Sequence, residues 1–157
     1  MRFNYERYDS PCSPLDGSTE IYRPEIPIHL IGTRGEVFSL GLVDTGADSV
    51  VIGAAIAAQI GVKLNDKHRW PLHGISSNPV EAVLGRLEME LVGRTASLCW
   101  TIPVAVVSYR DLVNEEVLVL GQTGFLEYFD VRLFGKEHVI ELKPNASFPK
   151  KRRRTAK

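Results

Sequence analysis

Asp44-Thr45-Gly46, with a second carboxylate at Asp48, is the stretch of this chain whose residue types are best suited to chemistry. Aliphatic runs flank it, Leu40-Gly41-Leu42-Val43 before and Val50-Val51-Ile52 after. An aspartate in a tight turn at the end of a buried strand is held rigidly toward a cleft, where it can exchange protons with bound water. Asp-Thr-Gly alone is usually a turn signal, but the hydrophobic flanks and the following Ala47-Asp48-Ser49 favour a catalytic aspartate. A calcium site is the weaker reading, because EF-hand spacing is absent and two carboxylates lack the further oxygen ligands required. No Gly-x-Ser-x-Gly is present, and neither Cys12 nor Cys99 has a plausible histidine partner in sequence. His29, His68, His73 and His138 lack zinc spacing. His73 could tune a nearby loop with pH, although a solvent-facing histidine is the plainer reading. No metal and no organic cofactor is expected.

The elements that must position Asp44 read mostly as strands. Ile26, Ile28 and Leu30 alternate with Pro27 and His29. Gly32-Thr33-Arg34-Gly35 is a hairpin turn, and Val37 to Val43 returns as the buried strand that delivers Asp44. Residues 53–61, alanine-rich and ending in Gly61, predict a short helix with a glycine cap. A long hairpin is expected from Trp70 to Val92, its tip at residues 73–79. Its return arm alternates Leu87, Met89 and Leu91 with charged residues. Leu98 to Val107 is another strand. Val117 to Gly121 runs into a short helix marked by Phe125 and Phe129. Residues 131–142 form a closing hairpin. Gln122-Thr123-Gly124 opens the predicted helix and is not a second catalytic loop, since the chain is too short for two lobes.

At 157 residues the chain fits one domain with a real core. Three segments are expected: an extended leader over 1–20, the body over 21–143, and a basic, disordered tail over 144–157. The formal net charge of zero hides an asymmetry. Six cations and no anion lie in residues 150–157, which leaves residues 1–149 with 13 basic and 19 acidic side chains. The tail could bind nucleic acid, an anionic surface or an import receptor, although a solvated end that aids solubility is the plainer reading. Nucleic acid is otherwise not an expected partner. The first residues lack the apolar core of a secretory signal, and no apolar run is long enough to span a bilayer. Two cysteines make no disulfide framework, so a reducing, cytoplasmic setting is expected. Asn145-Ala146-Ser147 then has no meaning as a glycosylation acceptor.

Leu42-Val43-Asp44-Thr45-Gly46-Ala47-Asp48-Ser49 resembles the signature of aspartic peptidases. Because it occurs once in a short chain, the resemblance points to the single-lobe, retropepsin-like family. It covers roughly residues 22–143 and has a second half, Leu118-Val119-Leu120-Gly121, 77 residues after Asp44. The resemblance implies an all-β fold: a closed, barrel-like lobe with a flap hairpin and one or two short helices. It further implies a homodimer in which each copy gives Asp44 to a shared site on a two-fold axis. Two carboxylates about 3 Å apart cannot both ionise. One then takes a proton from water while the other polarises the scissile carbonyl. By the same resemblance, the Thr45 hydroxyl bonds across the axis and Gly46 permits the turn. Ala47 keeps the cleft floor open, and Asp48 contacts substrate main chain and pairs with an arginine. Leu120 and Gly121 support the loop from behind, and Gly74 and Ile75 belong to a flap over substrate. The family's usual arginine after that glycine is Gln122 here, leaving Arg132 or Arg110 as candidate partners for Asp48.

The expected activity is therefore aspartic endopeptidase action on an extended peptide or protein with apolar residues flanking the cleaved bond. The rival from another class is a non-catalytic dimeric module that binds peptide or protein and is tethered to nucleic acid by the tail. A third reading is a peptidase acting mainly on its own leader or tail.

Overall fold

The computed structural model describes residues 1–73, 79–93, 97–108 and 117–149. In chain order the strands are β1 (Arg2–Asn4), β2 (Glu6–Asp9), β3 (Glu20–Arg23), β4 (Glu25–Ile31), β5 (Glu36–Val43) and β6 (Val51–Gly53). After helix α1 (Ala54–Ile60) come β7 (Lys63–Leu72), β8 (Val80–Val92), β9 (Ser97–Val107) and β10 (Leu118–Leu120). A 3-10 turn over Leu126–Tyr128 precedes β11 (Phe129–Phe134) and β12 (Val139–Pro144). The expected helix around Phe125 and Phe129 is thus only this turn, yet both rings are buried and lie 5.0 Å apart, tilted by 32°. The tip of the β7–β8 hairpin, with Gly74 and Ile75, lies outside the described residues, as do Arg110 and the basic run 150–157.

Strands β4, β5, β10, β6, β9 and β8 form a ring in that order, closed by pairing of β4 with β8. Period-2 alternation explains why the ring has an inside. Ile26, Ile28 and Leu30 of β4, Ile52 of β6, Met89 and Leu91 of β8 and Ile102 of β9 are fully buried. The outer face of β4 is less open than its alternation suggests. His29 is only 6% exposed, because Phe38 stacks on its ring at 4.0 Å and Glu90 Oε2 lies 3.1 Å from Nδ1.

Helix α1 ends as expected at Gly61, whose φ of 73° is left-handed backbone that suits glycine. The turn between β4 and β5 completes the cap. The Arg34 N–H donates to Ile60 O (2.9 Å) and the Thr33 hydroxyl to Gly61 O (2.6 Å). Those carbonyls have no partner inside the helix, so the turn satisfies them.

The first and the last described segments both lie on the body. Residues 1–20, expected as an extended leader, contribute β1, antiparallel to β12, and β2, which pairs with β3. The terminal ammonium donates to Leu142 O at 2.6 Å. The body also continues past residue 143, the boundary expected from sequence. Asn145 N–H donates to Tyr128 O (3.0 Å), and the Phe148 ring meets Trp100 at 5.3 Å and Phe129 at 5.5 Å. An aromatic ring with a hydrophobic socket within reach stays docked despite the basic run that follows it.

Candidate active site

Asp44 follows β5 directly, so the rigidity of the barrel wall passes to the loop. Strand β10 runs parallel to β5, with Val119 opposite Leu42 and Leu120 opposite Val43. The Asp44 N–H donates to Leu120 O at 3.2 Å, and Ala47 N–H returns to Asp44 O at 3.3 Å. The half-buried Asp44 carboxylate accepts the Gly46 N–H on Oδ1 at 2.8 Å. This bond fixes the side chain and leaves Oδ2 for chemistry. Thr45 is exposed beside it, and its hydroxyl makes no hydrogen bond to a described residue of the same chain.

Gly121 lies directly behind this loop. A methyl group at its Cα would stand 2.4 Å from Ser49 O and 2.6 Å from Ala47 O. Only a residue without a side chain lets the two segments approach this closely. The close approach is used by hydrogen bonds: Gln122 N–H to Ala47 O (2.8 Å), Thr123 N–H to Asp48 O (3.0 Å) and Val50 N–H to Thr123 O (3.0 Å). Leu120, fully buried, supplies both the carbonyl under Asp44 and packing below it.

Two of these supports were not read from sequence. The Gln122-Thr123-Gly124 triplet, expected to open a helix, follows β10 and braces the loop without adding a carboxylate. The Gln122 side chain goes further, its Nε2 donating to Thr45 O at 3.0 Å. A polar residue just after the crossing glycine was the signal in the sequence, but which carbonyl it reaches depends on the fold. No described arginine lies within ion-pair distance of Asp48. Arg132, one of the two candidates, sits instead in a groove with Met1, Arg2 and Glu141.

Asp44, Gly46, Ala47 and Asp48 share the floor of an open cleft of about 1000 Å³. Trp70, Leu72, His73 and Val80 line it from the side of the β7–β8 hairpin, and Val104, Val117 and Val119 line it as well. The cleft is thus an apolar trough with two carboxylates at its base, able to take an extended chain with apolar side chains. Among the described residues, no group of three or more His, Cys, Asp or Glu side chains is placed to hold a metal ion.

No protein-family model and no curated protein matches the chain. Solved structures do. A retropepsin-like aspartic protease from Rickettsia conorii shares 18% identity, covering 90% of this chain and 98% of its own, with a TM-score of 0.48. The EIAV protease complexed with the inhibitor HBY-793 shares 20% identity over 63% of this chain and 81% of that one, with a TM-score of 0.36. Both neighbours are proteases by name, one of them retropepsin-like, and at such identities and TM-scores the case has to come from this chain's own residues.

Proposed function

We propose that the chain is an aspartic endopeptidase, active as a homodimer in which two Asp44 carboxylates activate a water. The observation that carries this reading is the support given to Asp44. Its backbone is tied to Leu120, its carboxylate is oriented by the Gly46 N–H, and it stands at the base of a cleft shaped for an extended chain. A binding module needs the trough but has no use for a braced carboxylate beneath it.

One carboxylate cannot act as base and acid in the same step, so the second comes from another copy of the chain. The exposure of Thr45 and Gly46 suits that arrangement, since the loop tip is open to meet its counterpart. In the dimer, the ionised Asp44 takes a proton from water as oxygen attacks the scissile carbonyl. The protonated Asp44 donates to the carbonyl oxygen, and proton return to the amide nitrogen releases the two products. The resemblance gives Gly74 and Ile75, which lie outside the described residues, the role of covering the substrate and excluding water.

The reading is tested by incubating wild type and Asp44→Asn with a complex peptide mixture from about pH 4 to 7. Mass spectrometry then reports the cleavages. Cuts between apolar residues, made by wild type alone, are expected. Peptide binding without cleavage by either form would replace the enzyme with the dimeric binding module.

A further inference from the structure

We propose that Asp48 selects substrates carrying a basic side chain near the cleaved bond, on both sides of it. The inference rests on the endopeptidase reading above and supplies its substrate class. Asp48 is exposed on the cleft floor, and its backbone is fixed because its carbonyl accepts the Thr123 N–H at 3.0 Å. Its carboxylate therefore projects from a set position, and little ordering is needed for it to meet a ligand.

Nothing described in the cleft neutralises it. The described lining contains Asp44 and Asp48 but no lysine or arginine, and His73 is the single basic side chain. Gln122, at the position where the resemblance expects arginine, has its amide engaged with Thr45 O. The arginine in the adjoining groove, which shares Val117 and Val119 with the cleft, is Arg23. Its guanidinium is already engaged, 3.7 Å from Glu25 and 5.2 Å above the Tyr8 ring. The trough is thus apolar where side chains flanking the cleaved bond would sit, and negative at Asp48. A peptide with a lysine or arginine a few residues from an apolar pair complements both features.

Two-fold symmetry sharpens the claim. A dimer holds two copies of Asp48, so the preference must appear at a mirrored pair of substrate positions, one on each side of the bond. A solvent-exposed ion pair of this kind is worth about a three- to fivefold effect and is screened by salt.

The test uses the full-length protein and peptides with one cleavable apolar pair, in which Lys, norleucine or Glu replaces each flanking residue in turn. Wild type should cleave the Lys peptides about three- to fivefold better in kcat/KM than norleucine at two mirrored positions, and Glu least well. Raising salt to about 1 M should flatten the series, and Asp48→Asn should abolish the Lys preference. Gln122→Arg, which adds a cation next to Thr123, whose N–H holds the Asp48 carbonyl, should lower the ratio, whereas Arg23→Gln should leave it unchanged. A preference that survives Asp48→Asn, or none in wild type, overturns the proposal. So does a ratio that rises on Arg23→Gln, because Arg23 would then already neutralise Asp48 across the dimer. Affinities of the same peptides for Asp44→Asn and Asp44→Asn/Asp48→Asn, by fluorescence anisotropy, separate this claim from the catalytic one. Lys-dependent binding lost in the double variant supports the proposal even if wild type cuts nothing. Cleavage without charge preference removes it and leaves the endopeptidase standing.

Discussion

Gly121→Ala should damage the site from behind without touching any reacting group. The added methyl would lie 2.4 Å from Ser49 O, 2.6 Å from Ala47 O and 2.8 Å from the Ser49 carbonyl carbon. All three are backbone atoms, so no side-chain rotation relieves the contact. Restoring ordinary van der Waals separation requires the loop to retreat by about 1 Å. Overpacking of this kind costs about 1–3 kcal/mol, and the upper half applies because the obstacle is main chain on two residues. For a chain of this length, that lowers Tm by about 5–10 °C. The retreat carries Asp44 with it through the Asp44–Leu120 and Gln122–Ala47 hydrogen bonds. A misplacement near 1 Å costs on the order of 100-fold in rate. Urea unfolding and peptide-cleavage kinetics, run on the same preparation, read the two effects. Gly135→Ala is the control, since a methyl group there would meet no atom within 4 Å; it should change stability by less than about 0.5 kcal/mol. A Gly121→Ala protein as stable and as active as wild type would refute the claim that this crossing positions the loop.

Two further outcomes concern the packing away from the cleft. Tyr8→Phe removes the hydroxyl that donates to Glu25, a carboxylate only 8% exposed, and should cost about 1–2 kcal/mol. The hydrogen bond to Glu25 is the main reason the Tyr8 phenol is pushed up to about 12. The neutral phenol is thus favoured by folding, so wild type's advantage over Tyr8→Phe is full below about pH 10 and fades as pH rises through about 12. Denaturation midpoints across that range, with tyrosinate absorbance, check it. Trp100→Phe breaks the buried bond from Nε1 to Gly124 O (3.0 Å) and opens space among Phe125, Phe129 and Phe148. A loss of about 2–3 kcal/mol with an unchanged denaturant slope is expected from urea titration.

The parts of this fold that were legible in the sequence are those written in local pattern. Alternation at Ile26, Ile28 and Leu30 announced β4, and the long hairpin, β9 and the Gly61 cap were each visible from their own residues. Gly121 was visible as a crossing point because the resemblance supplied the loop it crosses. What escaped depends on which distant atoms meet. Nothing in Gly32-Thr33-Arg34-Gly35 says that its N–H and hydroxyl groups cap a helix more than twenty residues later. Gln122 looked like a departure from a pattern, and only the fold shows its amide on the Thr45 carbonyl. His29 looked like an outward residue until Phe38 and Glu90 closed over it. Phe148 was hidden by the charge run beside it, since composition averages over a segment while one ring finds its socket.

The central claim is that each active site needs Asp44 from two chains. Its most direct test holds wild type at a fixed low concentration and adds increasing Asp44→Asn, allowing time for subunit exchange before cleavage is measured. Each exchange replaces a two-aspartate site with a one-aspartate site. The account predicts that activity falls toward zero as the variant comes into excess. Activity that stays constant however much Asp44→Asn is added, with mixed dimers shown to form by mass spectrometry, would contradict it.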